Sequence, residues 1–255
     1  MRYSALAPGK RLRPVLVVAA FQACGGRGER VYGPAGALEL IHAYSLVHDD
    51  LPDFDDDALR RGRPTSHVVY GDRLALLAGF GLLVEGLGWL AEVPGPPGRQ
   101  LLRVVSRAVG LGGMIGGQYL DLVSEGRELE PEQLREIHAG KTGRLITAAV
   151  LAGALLAGAD GGTRKVLEGY GTRLGLAFQI ADDVLDALGD QDVTGKATGA
   201  DAAAGKATFV SAYGVDGARS HARAAAAAAA DELVHARLDG GLLRALAEFV
   251  ADRAR

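Results

Sequence analysis

Two clusters of aspartate, each set in apolar sequence with helical spacing, constrain the fold of this chain more than any other feature. The first is His48-Asp49-Asp50-Leu51-Pro52-Asp53-Phe54-Asp55-Asp56-Asp57, six carboxylates within nine residues, followed at once by Arg60-Arg61-Gly62. The second is Asp182-Asp183-Val184-Leu185-Asp186, about 130 residues later. Crowded carboxylates repel, and holding them on apolar elements is costly unless cations neutralise them. Hard oxygen ligands suit a hard cation. Mg²⁺ takes one or two carboxylates and shares its other positions between water and phosphate oxygens. The pair of clusters therefore suggests two walls of one cavity that grip a diphosphate through Mg²⁺. The alternative for the first cluster alone is a solvated helix face or loop. The second cluster argues against it. Asp182 and Asp186 lie at i, i+4 on one helix face, among Phe178, Ile180, Val184 and Leu185. Like charges at that spacing destabilise a helix, and no basic residue stands within one turn to offset them.

The bulk of the sequence narrows the class. At 255 residues and net charge −3, nothing points to nucleic acid as a partner. One cysteine, Cys24, excludes an internal disulfide framework and fits a reducing compartment, so a cytoplasmic location is expected. The longest uncharged run, Leu145 to Ala159, is shorter than the ~20 residues a helix needs to cross a bilayer, so no membrane span is expected. Basic Lys10 to Arg13 before apolar Val15 to Phe21 loosely imitates a signal peptide. The apolar run is short and is followed by Gln22, so that reading is set aside.

Helical periodicity dominates. Apolar residues recur at three- and four-residue spacing over Pro14–Cys24, Gly36–Leu51, Ser66–Leu90, Gly98–Leu122, Pro131–Leu156, Thr163–Leu188 and Ala218–Leu238. Pro94-Gly95-Pro96-Pro97-Gly98 reads as a break, and Pro131-Glu132 as a first turn. No window alternates like a strand, and no Gly-rich phosphate loop follows one. Ala224–Ala230 is low in complexity but favours helix. Glycine, 37 of 255 residues, is about twice the usual ~7%, so helices can approach closely. The expectation is one all-α domain spanning residues 1–255, a bundle of nine or ten helices around a central cavity.

Six blocks in order carry a resemblance. They are Gly9-Lys10-Arg11-Leu12-Arg13-Pro14, Ile41 through His67, Gly117-Gln118-Tyr119-Leu120-Asp121, Lys141-Thr142-Gly143, Phe178 through Asp186, and Gly195-Lys196 through Lys206. Together they resemble the trans-isoprenyl diphosphate synthases, in particular the bacterial short-chain farnesyl and geranylgeranyl types. The resemblance implies an isoprenoid-synthase bundle, about three Mg²⁺ ions and a homodimer. It also implies prenyl transfer from an allylic diphosphate, dimethylallyl or geranyl, to isopentenyl diphosphate. Pyrophosphate leaves, the double bond of isopentenyl diphosphate attacks the allylic cation, and a proton is lost. That chemistry needs Lewis acids and fixed cations rather than a nucleophile, and no Ser-His-Asp or Cys-His pattern is present.

By that resemblance the metal ligands are Asp49, Asp50, Asp55, Asp182, Asp183 and Asp186. Lys10, Arg13, His42 and Arg61 hold isopentenyl diphosphate. Arg60, Lys141 and Lys196, helped by Lys206, hold the allylic diphosphate. Lys141, Thr142 and Gln179 contact the diphosphate and the developing charge. Asp49 and Asp55 are about 600° apart on a straight helix, so Pro52 must end or kink the helix near Leu51 and let Asp55 fold back. This resembles the family variant with four residues between the aspartate pair and the next aspartate. Asp53 is a departure, either a competing ligand or, preferably, a water-facing carboxylate. Phe80 stands where relatives commonly carry an aspartate, and relatives usually have a further helix before Gly9. The growing chain would extend along the helix of the first cluster, past Ser45 and Tyr44, one turn deeper. Bulky Tyr44 favours the fifteen-carbon farnesyl product over geranylgeranyl; alternatively Tyr44 is ordinary core. A class I terpene cyclase is disfavoured by the all-aspartate second cluster and the second set of cations. A non-catalytic partner subunit is disfavoured because both clusters are intact.

Overall fold

The computed structural model describes residues 1–124, 126–127, 129–189, 208–236, 238 and 240–253. Lys196 and Lys206 lie outside them. The described residues form α1 (Arg2–Ala5), α2 (Leu12–Ala23), a 3₁₀ turn (Glu29–Val31), α3 (Tyr32–Asp49) and a small hairpin of β1 (Leu59–Arg60) with β2 (Arg63–Pro64). Then come α4 (Ser66–Tyr70), α5 (Asp72–Ala91), α6 (Gly95–Val109), α7 (Met114–Val123) and α8 (Pro131–His138). A π-helical turn (Ala139–Gly143) leads into α9 (Arg144–Ala157), followed by α10 (Gly161–Leu188), α11 (Phe209–His235) and α12 (Gly241–Asp252). The expected all-α class is observed.

At the centre, α9 buries eleven residues between Leu145 and Leu156, against α2, α6 and α10. Its small residues permit this. A Cβ at Gly153 would overlap the Val17 carbonyl and crowd the Phe21 amide of α2. The main apolar core joins α2, α3, α9, α10 and α12. A second cluster, built on Leu134, Ile180, Val184 and Phe209, lies beneath the second aspartate motif.

Several boundaries differ from the periodic reading. The single helix expected over Ser66–Leu90 is two, because Gly71 at φ 84° breaks the ladder between α4 and α5. The helix expected over Gly98–Leu122 divides at Gly110–Gly113 into α6 and α7. The proline run is not wholly a break: Pro94 caps α6, whose first turn already contains Pro96 and Pro97, where missing N–H groups cost nothing. Helix α11 starts nine residues earlier than the periodicity suggested, with a kink at Gly214. Periodicity does not register a one-turn helix or a glycine break, because apolar spacing continues across both.

Two long helices, Asp72–Ala91 and Glu132–Ala157, are long and apolar enough by composition to cross a bilayer. The second is mostly buried in the core, while α5 leaves much of its apolar face open.

Candidate active site

The first aspartate cluster begins where α3 ends. Asp49 is the last helical residue and Asp50 the cap. After Pro52 the chain folds back, and the Asp55 amide donates to the Asp49 carbonyl at 2.9 Å, so the two aspartates expected to converge share one turn. The hairpin then returns over a two-residue loop, Arg61-Gly62, with φ of 55° and 71°, the type I′ pattern. It sends the two arginines different ways. Arg60 donates through Nε to buried Asp50 and through Nη2 to Asp57 at 3.1 Å. Arg61 donates through Nη1 to the Pro8 carbonyl at 2.7 Å and lies against Gly9, where any Cβ would strike its guanidinium.

Lys141 lies in the π-helical turn, an insertion that re-aims side chains and recurs at functional sites. Its Nζ donates to Asp121 at 2.7 Å. Burial by itself would pull the Lys141 ammonium down. The charges of Asp49, Asp121 and Asp55 outweigh it and hold the group above the ordinary lysine value. Lys141 thus feels the charge of the first cluster. The next residue reaches the second: Thr142 Oγ1 donates to Gln179 Oε1 at 2.7 Å, and Gln179 Nε2 donates to Asp183 Oδ1 at 3.3 Å. Asp183 is buried, and its other oxygen accepts from the Phe209 amide at 2.9 Å, tying this cluster to the start of α11. Asp186 is half-buried one turn along.

A basic pole faces these groups. Burial brings the Arg13 guanidinium down to about 10, with Glu39 and Asp182 opposing and Arg61 adding to the fall. Lys10 is lowered by burial and then by Arg253, against the attraction of Asp182. Burial, followed by Arg13, Arg61, Arg60 and Arg11, drives His42 well below the usual histidine range, so its imidazole is neutral. Arg13 Nε and His42 Nδ1 are buried without a hydrogen-bond partner among the described residues. Asp182 is raised by burial, while Arg253, Lys10 and Arg13 pull it back.

The sequence reading left some residues out. Arg253, at the end of α12, donates through Nη2 to Asp182 at 2.6 Å and stacks over Phe178 at 4.6 Å. It is the cation that no local sequence supplied to the second cluster. Asp121, at the end of the Gly117–Asp121 block, holds Lys141. Glu39, buried on α3, pairs with Arg11, whose Nη atoms also hold the Ala5 and Ala7 carbonyls. Tyr44 is buried beside His48, and Ser45 Oγ donates to the His42 carbonyl at 2.9 Å. Asp53 is exposed. Among the described residues no three acidic, His or Cys groups form a ready metal cage. The aspartates lie on two elements, Asp49 and Asp50 at the end of α3 and Asp182, Asp183 and Asp186 on α10, and carboxylates of this kind suit an ion that takes most of its oxygens from phosphate and water.

A family model described as polyprenyl synthetase matches residues 1–236. The chain is 45% identical to the farnesyl diphosphate synthase of Escherichia coli strain K12, over 99% of this chain and 88% of that one. It is 42% identical to the geranylgeranyl diphosphate synthase of Cyanophora paradoxa, over 99% and 86%. Among solved structures, an FPP/GFPP synthase from Zymomonas mobilis superposes with a TM-score of 0.88 at 35% identity, over 98% of this chain and 86% of that one. A geranyltransferase from Helicobacter pylori, complexed with magnesium and isoprenyl diphosphate, matches with a TM-score of 0.88 at 32% identity, over 98% and 85%. The chain belongs to the polyprenyl synthetase family and is a prenyltransferase.

Proposed function

We propose that this protein condenses isopentenyl diphosphate with dimethylallyl or geranyl diphosphate, releasing pyrophosphate, and that farnesyl diphosphate is its main product. The observation that carries this reading is the pairing of two unlike poles around one basin. Lys141 lies among Asp121, Asp49 and Asp55, while Lys10, Arg13 and Arg61 gather with neutral His42, and Lys10 and Arg13 also feel Asp182. An aspartate pole suits a diphosphate that arrives with cations and leaves as pyrophosphate. A pole in which cations outnumber carboxylates suits a diphosphate that stays attached.

The site residues divide accordingly. Asp49, Asp55 and Asp186, with Asp182 beside Arg253, offer carboxylates as ligands for about three Mg²⁺ ions. Asp50 and Asp183 belong to the same set by resemblance. Their bonds to Arg60 and to the Phe209 amide suit them to holding the walls in place. When bound, Mg²⁺ withdraws electron density from the leaving diphosphate. Arg60 and Lys141, with Lys196 and Lys206 from outside the described residues, add fixed positive charge where the pyrophosphate's charge develops. Thr142 and Gln179 present a hydroxyl and an amide toward the same region. Lys10, Arg13, Arg61 and His42 hold isopentenyl diphosphate with its double bond toward the allylic carbon, which is positioning rather than bond making. Tyr44, one turn below Asp49, stops the growing chain near fifteen carbons.

We further propose that the chain acts as one synthase domain, dimeric and cytoplasmic. Leu74, Leu77, Phe80 and Val84 form an exposed apolar stripe on α5, with Val69 and Tyr70 beside it. A patch of that kind calls for a partner, and a second copy is the occupant we assign. The purified chain alone, given Mg²⁺, isopentenyl diphosphate and each allylic primer, should release pyrophosphate and make a fifteen-carbon alcohol after dephosphorylation. The Asp49→Ala enzyme should be slower by about 10³-fold or more, the loss expected for one ligand of an ion worth several kcal/mol. No turnover by the intact chain, or near-native turnover by the variant, would refute the assignment.

A further inference from the structure

Three rings line the seam between α3 and α5. Tyr44 and His48, at i, i+4 on α3, meet edge to face with centroids 5.1 Å apart and planes at 82°. His48 meets Phe80 of α5 in the same way, at 5.0 Å and 82°. The middle ring is fixed on its remaining sides. Its Nε2 lies 3.1 Å from the Leu76 carbonyl, and because a carbonyl only accepts, Nε2 carries the hydrogen. The ring also fills the notch left by Gly79, where any Cβ would collide with it. His48 directly precedes Asp49. An aspartate, which the resemblance leads one to expect at position 80, would offer His48 an anion but no surface to pack on. Phe80 offers a ring and no charge.

We propose that Phe80 is a positioning residue for product length: by clamping His48 it holds Tyr44 across the path of the growing prenyl chain. The proposal rests on the reading of Tyr44 as the stop. Tyr44 is 7% exposed and Phe80 is 51% exposed, so Phe80 is the outer buttress and Tyr44 the surface that meets the chain. Edge-to-face ring pairs add a modest directional attraction beyond area burial. A buttress of that strength holds a rotamer against the pressure of one more isoprene unit, and its loss changes product proportions without removing a metal ligand.

The test is the product distribution at equal conversion, which is independent of rate. Phe80→Leu, which keeps the stripe apolar, and Phe80→Ala should both raise the share of product one isoprene unit longer by several-fold. Phe80→Tyr, which keeps the ring, should leave the distribution unchanged. The double variant Tyr44→Ala/Phe80→Ala should match Tyr44→Ala, because Phe80 acts through Tyr44. If Tyr44→Ala lengthens the product and both Phe80 variants leave it unchanged, the proposal is overturned and the Tyr44 reading stands. A double variant longer than either single one would also overturn it, since Phe80 would then limit the pocket independently. If Tyr44→Ala changes nothing, the Tyr44 reading fails and takes this proposal with it. Should the Phe80 variants not fold, Gly79→Ala, whose Cβ would displace the His48 ring, should lengthen the product; no lengthening there overturns the proposal.

Discussion

A single arginine shows how the two poles differ. Arg13 is buried, its Nε has no hydrogen-bond partner among the described residues, and Asp182 and Glu39 are the carboxylates whose charge it feels. A buried, under-satisfied guanidinium costs free energy in the empty site, and an incoming diphosphate relieves that cost. It is assigned to the diphosphate that does not leave, so its contribution is the same before and during reaction. Arg13→Ala should therefore raise the apparent KM for isopentenyl diphosphate by roughly 10- to 100-fold, the ~1.5–3 kcal/mol of a charged hydrogen bond, with kcat much less affected. Initial-rate kinetics with each substrate varied in turn would show it. A change confined to the allylic KM would reverse the division of cations.

At the scale of elements, the α8–π–α9 run does more than span the core. Its first part ends in His138, buried, stacked on Phe209 of α11 at 5.6 Å and 3.9 Å from Asp183. Burial brings His138 down to about 4, against the pull of Asp121 and with help from Lys141. The unfolded chain protonates its histidine near 6.5, whereas the folded chain resists until about 4. Between those values the unfolded state binds more protons, so stability falls as pH drops through this window and levels off below it. Each pKa unit is about 1.4 kcal/mol, so the loss amounts to a few kcal/mol. Urea midpoints measured between pH 7 and pH 4 should fall for the native chain and fall less for His138→Phe. Equal slopes would remove His138 from this role.

How much of this was legible depended on distance along the chain. The aspartates, the fold-back at Pro52 and the long helices were readable because each is written within one or two turns. The splitting of the Ser66–Leu90 and Gly98–Leu122 segments was not, since glycine breaks leave apolar spacing intact. The partner of Asp182 was not legible either. Arg253 lies 71 residues away and carries no motif of its own. The π-helical turn that aims Lys141 leaves no trace in periodicity.

At the scale of the molecule, the open stripe on α5 is the surface proposed to meet a second copy. A like charge placed on it in both copies would be desolvated against its twin, which is costly. Leu77→Asp with Val84→Asp should convert a dimer into a monomer by light scattering while leaving helical circular dichroism unchanged. A native chain that is already monomeric would remove the second copy as the occupant. The basin itself draws on the whole chain. Lys10 stands just before α2, Lys141 at the middle and Arg253 at the end of α12, and the first and last of these both act on Asp182. No half of the chain carries the full set of charges. The basin therefore exists only once α2, the π-helical turn and α12 have packed together, so losing the docking of any one of them empties it of function at a distance.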